Sequence, residues 1–142
     1  MAFSGTFDYT LDAKNRLTVP AKFRPAFANG VVLAKGTEKC VAIWTPEEFS
    51  TYISAALEGL HPLSQRADKV NRFFRANSIE MPLDSAGRVM VPSFLLEHAA
   101  LEKDVVITGV GNRLEIWDRA GWAEYNAALD ITEITASFDN PA

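Results

Sequence analysis

The chain has 142 residues, of which 48% are hydrophobic, and its formal net charge is −4 at pH 7. This length suits a single domain, and the composition supplies enough apolar side chains for a core. No apolar run approaches the roughly 20 residues that a membrane-spanning helix needs, and the N-terminus resembles no signal peptide. Cys40 is the only cysteine, which excludes an internal disulfide. Its apolar neighbours predict a buried core residue of a cytosolic protein, with a reactive thiol as the alternative.

Charge is distributed unevenly along the chain. Residues 1–71 have a net charge of +1, whereas residues 72–142 have a net charge of −5. Residues 13–24 contain no acidic side chain and four basic ones, namely Lys14, Arg16, Lys22 and Arg24. A negative total argues against a nucleic-acid partner, but this local basic cluster keeps that hypothesis open.

The first half of the chain predicts four short strands and a well-marked helix. Apolar and polar residues alternate over Thr6–Leu11, as in a half-buried strand. The other strands and a short helical segment are expected at Arg16–Val19, Val31–Ala34, Cys40–Trp44 and Ala21–Phe27. A capping box at Thr45 and Glu48 starts a helix that should run to about Glu58. Its apolar face is expected to consist of Phe49, Tyr52, Ile53 and Ala56.

A second helix is predicted from Ser64 to Ala76, with an apolar side formed by Val70, Phe73 and Phe74. Basic residues recur along it every three positions, at Arg66, Lys69, Arg72 and Arg75. That spacing winds around a helix and gives no narrow basic stripe. These cations are interpreted as a solvated face or a subunit contact, with direct phosphate contact as the alternative.

The second half repeats the pattern of the first. Strands and a short helix are predicted at Ile79–Leu83, Arg88–Val91, Ser93–Ala99, Val105–Thr108 and Arg113–Trp117. A hairpin turn is expected at Gly109–Asn112, and Asp118 should cap a helix that contains Trp122 and Tyr125. The tail from Ile131 to Ala142 carries weak signals, and its end is expected to be mobile.

Two ten-residue segments show that the repetition is genuine. Leu11–Pro20 aligns with Leu83–Pro92 without a gap, at an offset of 72 residues. Each segment predicts a turn, because an Asp at the first position and an Asn or Gly at the fourth suit a type I turn followed by a left-handed residue. The aromatic residues of the capped helices also match. The chain therefore consists of two homologous units, each too small to bury a large core alone, and we expect them to pack as a pseudo-dimer.

Side chains for catalysis or metal binding are sparse. His61 precedes a proline in a loop, and His98 is expected to cap the end of a short helix. No grouping of His and Cys has metal-ligand spacing, and no glycine-rich loop could cradle a phosphate. Asp12 and Asp84 are interpreted as turn-capping residues, with a catalytic carboxylate pair as the alternative. We therefore expect no enzyme activity, no metal and no cofactor.

Binding of nucleic acid has a physical rationale in the first copy of the turn. Lys14 should lie at the turn tip and Arg16 at the start of a strand, where they could contact phosphates and a guanine edge. A two-stranded β-ribbon is one of the shapes that the major groove admits. A solvated basic loop paired with acidic residues elsewhere is the alternative, and the composition does not decide between them.

The repeated pattern Leu-Asp-x-x-x-Arg-x-x-Val-Pro resembles the DxxxR signature of the SpoVT-AbrB family. Two copies in a chain of this size, together with Phe-x-Gly at residues 3–5 and Gly-Val-Gly-Asn-Arg-Leu-Glu-Ile-Trp-Asp at 109–118, resemble the MraZ family. The resemblance covers residues 1 to about 130. It implies an α+β fold of two tandem swapped-hairpin β-barrel units that pack as a pseudo-dimer, each followed by a helix. The expected boundaries are 5–60 and 77–130 for the units, 61–76 for the connecting helix and 131–142 for the tail.

The resemblance also implies a function. Such proteins are bacterial transcriptional regulators, here expected to be a repressor that binds G-rich direct repeats at the promoter of the division and cell-wall gene cluster. They form ring-shaped homo-oligomers. The expected partners are double-stranded DNA and further copies of the chain, with no membrane and no small-molecule substrate, and the expected location is the cytoplasm, on the nucleoid.

Site residues follow from the resemblance by position. The first-copy loop matches the family's DNA-contacting arm at Lys14, Asn15, Arg16, Lys22 and Arg24. Asn15 departs from the glycine that is usual at its position. A structural role is expected for Asp12, Asp84 and Arg88, with pairing of the last two across the pseudo-dimer as one arrangement. The alternative functions are an AbrB-like antitoxin that binds a protein partner and a structural assembly module.

Overall fold

A computed structural model describes residues 2–138 of the chain. The first unit comprises β1 (Phe3–Thr10), β2 (Arg16–Thr18), a 3-10 helix (Ala21–Phe27), β3 (Val31–Lys35), β4 (Val41–Trp44) and α1 (Pro46–Leu57). After α2 (Gln65–Phe74), the second unit comprises β5 (Ser78–Met81), β6 (Arg88–Met90), α3 (Ser93–Ala99), β7 (Asp104–Gly111), β8 (Leu114–Asp118) and α4 (Arg119–Ala127). A short α5 (Ile131–Ala136) follows. The mixed α+β class and the repeated order of elements are confirmed.

The two units exchange strands within one sheet. The six-stranded antiparallel sheet has the order β1-β7-β8-β4-β3-β5, and β2 and β6 form a separate two-stranded ribbon. The first strand of each unit pairs with the third strand of the other, since β1 pairs with β7 and β5 pairs with β3. The fourth strands, β4 and β8, pair with each other. This arrangement has the pseudo-two-fold symmetry expected of a pseudo-dimer built from swapped hairpins.

Both units fill one shared core. The largest fully buried side chains come from each half of the chain and include Leu17, Val31, Ile43, Leu95, Ile107 and Ile116. Because neither unit encloses these side chains by itself, the units depend on each other for stability. Cys40 is 1% exposed, which confirms it as a core residue. Burial raises the pKa of its thiol far above the usual range, and both the burial and the raised pKa disfavour the alternative of a reactive thiol.

The helix signals of the two units are confirmed in detail. The Thr45 hydroxyl accepts a hydrogen bond from the Glu48 amide at 3.2 Å, and the Asp118 carboxylate accepts one from the Gly121 amide at 2.9 Å. On α1, Phe49 and Ile53 are buried as predicted, but Ala56 is exposed. On α2, the buried residue is Ala67, whereas Phe73 is exposed. The helical period of the apolar faces was therefore predicted correctly, but residues at the edges of these faces were wrongly expected to be buried.

One strand is longer than the sequence indicates. We expected a strand ending at Thr108 and a turn at Gly109–Asn112, but β7 continues to Gly111. The reason is tertiary: β1 begins at Phe3 and pairs with β7 as far as Gly111, so the backbone of residues 109–111 finds partners in the other unit. A Cβ atom at Gly109 would overlap the backbone of Phe3 and Ser4, which explains the glycine there.

The prediction for His98 needs correction. His98 caps no helix; its Nε2 lies 3.0 Å from the carbonyl oxygens of Gly36 and Glu38, and so it fastens α3 to the β3–β4 hairpin of the first unit. In the tail, whose sequence signals are weak, Asp130 caps the short helix α5. The expected mobile end includes residues 139–142, which lie outside the described part of the chain.

Across residues 2–138, no helix is both long and apolar enough to span a bilayer.

Candidate nucleic-acid interface

The candidate interface is the two-stranded ribbon formed by β2 and β6. The strands are antiparallel, with Arg16 opposite Met90, Leu17 opposite Val89 and Thr18 opposite Arg88. Directly opposed residues share a face of a ribbon, and alternate residues on a strand share it too. One face is therefore apolar and the other carries two arginines.

The two faces have opposite environments. Leu17 is fully buried and Val89 is 2% exposed, so this face seals the shared core. On the other face Met90 is 55% exposed, and Arg16 and Arg88 are partly exposed. The two arginines stand on a diagonal of the ribbon, where neighbouring residues are about 7–8 Å apart. The outer face thus presents one arginine from each repeat.

Asp12 builds the turn that precedes Arg16. Its Oδ1 accepts hydrogen bonds from the amides of Lys14 and Arg16, both at 2.9 Å, and its Oδ2 accepts one from Arg16 Nε at 2.7 Å. Asn15 adopts a left-handed conformation with φ 57°, as the turn pattern predicts. Asp12 engages the guanidinium of Arg16 only through Nε, and the terminal nitrogens of Arg16 make no hydrogen bond within residues 2–138. The side chain is 28% exposed, so these donors remain available to a partner.

The second turn copies the first atom by atom. Asp84 accepts from the Ala86 and Arg88 amides at 2.9 Å and from Arg88 Nε at 2.8 Å, and Gly87 has φ 75°. The pairing of Asp84 with Arg88 across the pseudo-dimer is therefore wrong, since the ion pair closes within one turn. Turn geometry alone does not distinguish the two arginines. The first turn differs by the presence of Lys14, which aligns with Ala86.

Each turn is fastened to the opposite repeat by a backbone hydrogen bond. The Val91 amide donates to the Asn15 carbonyl and the Val19 amide donates to the Gly87 carbonyl, both at 2.9 Å. The left-handed residue of each turn is thus held by the strand end of the other unit. Moving one turn would therefore disturb the other, and the ribbon behaves as a single rigid element.

Arg24 breaks this symmetry. Its Nε donates to the Val19 carbonyl at 2.9 Å, and its side chain lies directly over Gly87, where a Cβ atom would overlap it. The residue that aligns with Arg24 in the second repeat is Leu96. Arg24 therefore supports the second turn.

Lys22 lies apart from the turns. Its ammonium is 4.3 Å from the ring centroid of Phe7 and 5.0 Å from that of Phe23, which is the geometry of cation–π contacts. Among the expected site residues, the structure brings Lys14, Asn15 and Arg16 together in one exposed turn. It separates Lys22, on the β1 side, and Arg24, against the second turn.

The sequence analysis missed two members of the outer face, Thr18 and Met90, and assigned Arg88 only a structural role. The signal that could have found them is the pairing of the repeats: if the units are related by a two-fold axis, their equivalent strands meet, and residues 16, 18, 88 and 90 share a face. The site offers donors and positive charge but no nucleophile with a base. Over residues 2–138, no three acidic, His or Cys residues are grouped to hold a metal ion.

The ion pairs predict a dependence of stability on pH. Hydrogen bonds from the Arg16 and Arg88 amides, aided by their guanidinium groups, hold the pKa values of Asp12 and Asp84 below the ordinary 3.8. A depressed folded-state pKa gives stability that is present above the ordinary pKa and is lost as the pH falls through the folded value. We expect Tm to decrease as the pH drops below about 4. The decrease should be smaller in the double variant Asp12→Asn, Asp84→Asn. Parallel Tm curves for wild type and variant between pH 7 and pH 2 would contradict this.

Comparison with known proteins places the chain in a family. The family model described as MraZ protein, antitoxin-like, matches residues 2–71 and again residues 73–140, so each match covers one repeat. The chain belongs to the MraZ family. It is 38% identical over 138 residues, 96% of each chain, to a protein named transcriptional regulator MraZ from Caldanaerobacter subterraneus subsp. tengcongensis. A protein of the same name from Lactiplantibacillus plantarum is 39% identical over 140 residues, which is 99% of this chain and 95% of the relative. Another from Symbiobacterium thermophilum is 40% identical over 122 residues, which is 86% of this chain and 88% of the relative. The expected family membership is confirmed.

Proposed function

We propose that this MraZ-family chain is a sequence-specific DNA-binding transcriptional regulator and that the β2–β6 ribbon is its DNA-contacting surface. The observation that carries the proposal is the outer face of the ribbon, where Arg16 follows the exposed Lys14 turn and stands beside Thr18 and Met90 above a sealed core. The regulator names of the relatives support it. No role as an enzyme is proposed.

The ribbon suits the major groove for three physical reasons. Its two strands form a narrow, rigid element of a shape that this groove admits. The terminal nitrogens of Arg16 are preoriented by Asp12, and an arginine fork can donate to O6 and N7 of a guanine. Lys14, at the exposed tip of the turn, provides a cation for a neighbouring phosphate.

The remaining expected site residues take different parts in this proposal. Asn15 supplies the left-handed corner of the turn and an exposed amide. Lys22 contributes a phosphate contact at the margin of the surface. Arg24 acts as a positioning residue, because its contact with Gly87 fixes the second turn and, through the strand pairing, the ribbon as a whole.

The finer assignments rest on the resemblance to the family. They make the chain a cytoplasmic, nucleoid-associated repressor of the division and cell-wall gene cluster, which binds G-rich direct repeats as a ring-shaped homo-oligomer. The ring would also reconcile DNA binding with a net charge of −4. When several subunits bind one promoter, each needs few phosphate contacts, because linked sites gain affinity without new contacts.

A salt titration tests the proposed function. Binding of the wild-type protein to its own upstream promoter duplex and to a scrambled duplex would be measured between 50 and 200 mM salt. We expect the promoter duplex to be preferred, and its affinity to fall steeply with salt because phosphate contacts release counterions. Weak binding to both duplexes with equal affinity would contradict the proposal.

The antitoxin-like description of the family favours one second candidate, in which the chain binds a small protein toxin. Co-purification of a stoichiometric small protein from the native host would support it. In that case, changes on the outer face of the ribbon should leave the partner bound, because the contact would lie elsewhere. A structural assembly module would tolerate loss of Lys14 and Arg16 in cells.

A further inference from the structure

In the first unit, an aromatic pair formed by one residue of β4 and one of α1 is covered by side chains from outside α1. Trp44 and Tyr52 lie with ring centroids 4.6 Å apart. The guanidinium of Arg113 lies 5.2 Å from the Trp44 ring and 5.7 Å from the Tyr52 ring. Phe74 of α2 meets Tyr52 edge to face at 5.6 Å. The pair thus has both a cation and an aromatic ring from outside α1.

The matching pair of the second unit has neither cover. Trp117 and Tyr125 lie 4.7 Å apart, in nearly the same geometry. The position equivalent to Arg113 is Cys40, which packs on Trp117 but carries no charge. In the described residues no helix equivalent to α2 covers Tyr125, because every residue of α5 is exposed. Tyr125 therefore remains 36% exposed.

A groove lies over this uncovered pair. It has a volume of about 440 Å³, and its floor is made of Trp117, Tyr125 and the small side chains of α3 and α4. Its charged lining residues are Glu38, Lys39, Asp118 and Glu124. The groove is therefore apolar at its base and net negative at its rim, which suits a ligand with an aromatic centre and positive flanks.

The outer side of α2 has that complementary character. Arg66, Lys69 and Phe73 recur at intervals of three and four residues, so they share one face of the helix. All three are exposed, with Phe73 at 37%, while Phe74 and Ala67 face the body of the protein. Arg72 lies one turn from Lys69 and is 4.0 Å from Asp68, which is the one acidic residue of the helix.

We propose that α2 of a second copy of this chain docks in the groove over Trp117 and Tyr125, with Phe73 against the aromatic pair and Arg66 and Lys69 facing Glu38 and Glu124. The incoming helix supplies the aromatic ring and the cations that the first unit obtains from Phe74 and Arg113. The contact deepens the ring-shaped assembly proposed above and rests on it. It joins two different surfaces of the chain, so it is heterologous, and such contacts repeat from copy to copy until a ring closes.

The test uses one variant for each face. Phe73→Asp removes the α2 face, and the double change Glu38→Arg, Glu124→Arg reverses the charge of the groove. Light scattering after size exclusion should show an assembly for wild type and a mass near the 15.6 kDa monomer for each variant alone. Mixing the two variants should give a heterodimer of about twice that mass, because the groove of one and the α2 face of the other remain intact. The heterodimer would also prove that both variants are folded.

The matched control is Leu63→Asp, which makes the same kind of change at an 86% exposed residue just before α2. It should assemble as wild type does. An assembled wild type whose mass is unchanged by both face variants would overturn this interface and leave the ring intact. Loss of assembly in the control as well, or no heterodimer on mixing, would also overturn it. A monomeric wild type would overturn the ring and the interface together.

Discussion

Replacing Arg16 by alanine should lower the affinity for the promoter duplex by about five- to 150-fold, because a bidentate arginine–guanine contact is worth about 1–3 kcal/mol of discrimination. The preference over a scrambled duplex should fall with it. The loss is expected to be specific to binding, since Arg16 is partly exposed and the apolar face of the ribbon stays sealed. Fluorescence anisotropy with promoter and scrambled duplexes at fixed salt would measure both effects.

The chain itself offers the matched control, Arg88→Ala. This change removes the same set of contacts to an aspartate in the same kind of turn, so its cost in folding stability should equal that of Arg16→Ala. Its effect on DNA affinity should be below about fivefold, or ~1 kcal/mol, because the second turn has Ala86 in place of Lys14. Equal losses of affinity would mean that the whole outer face, and not the first turn, carries the specificity.

Replacing Gly87 by alanine should be the most damaging small substitution on the ribbon. An alanine at φ 75° costs about 1–2 kcal/mol in backbone strain. Its Cβ would also meet the far end of the flexible Arg24 side chain, which has to shift and so weakens its hydrogen bond to the Val19 carbonyl, at a cost of about 0.5–1.5 kcal/mol. We expect a total of about 1.5–3.5 kcal/mol, measured as the change in the free energy of unfolding in urea.

Asn15→Ala is the matched control for this effect. Asn15 occupies the equivalent corner with φ 57°, but its side chain is exposed and Leu96 aligns with Arg24, so only the backbone strain of about 1 kcal/mol applies. Combining Gly87→Ala with Arg24→Ala should cost less than the sum of the two single changes, because the clash is then removed. Additive costs, or equal losses for Gly87→Ala and Asn15→Ala, would contradict the role given to Arg24.

The elements that sequence analysis predicted correctly depend on local chemistry. The two Asp turns, the Thr45 and Asp118 caps and the left-handed Asn15 each involve groups within four residues of one another, so they can be inferred from short patterns. The family and the pseudo-dimer could be inferred because the repeat is visible without structure. The errors occurred where a partner distant in the sequence decides the outcome, as at His98 and at the end of β7.

The sequence by itself determined that this protein consists of two homologous units with a basic turn in the first. Both features can be recognised from the order of residues, because the repeat is visible in it and the turn chemistry involves neighbouring residues. Only the tertiary structure decided which residues share a surface. The antiparallel pairing of β2 with β6 places Arg88 beside Arg16, and the packing of the units places Arg24 against Gly87. These contacts join residues more than 60 positions apart. Local propensity carries no information about them, because they form only when the two units bury their apolar faces against each other.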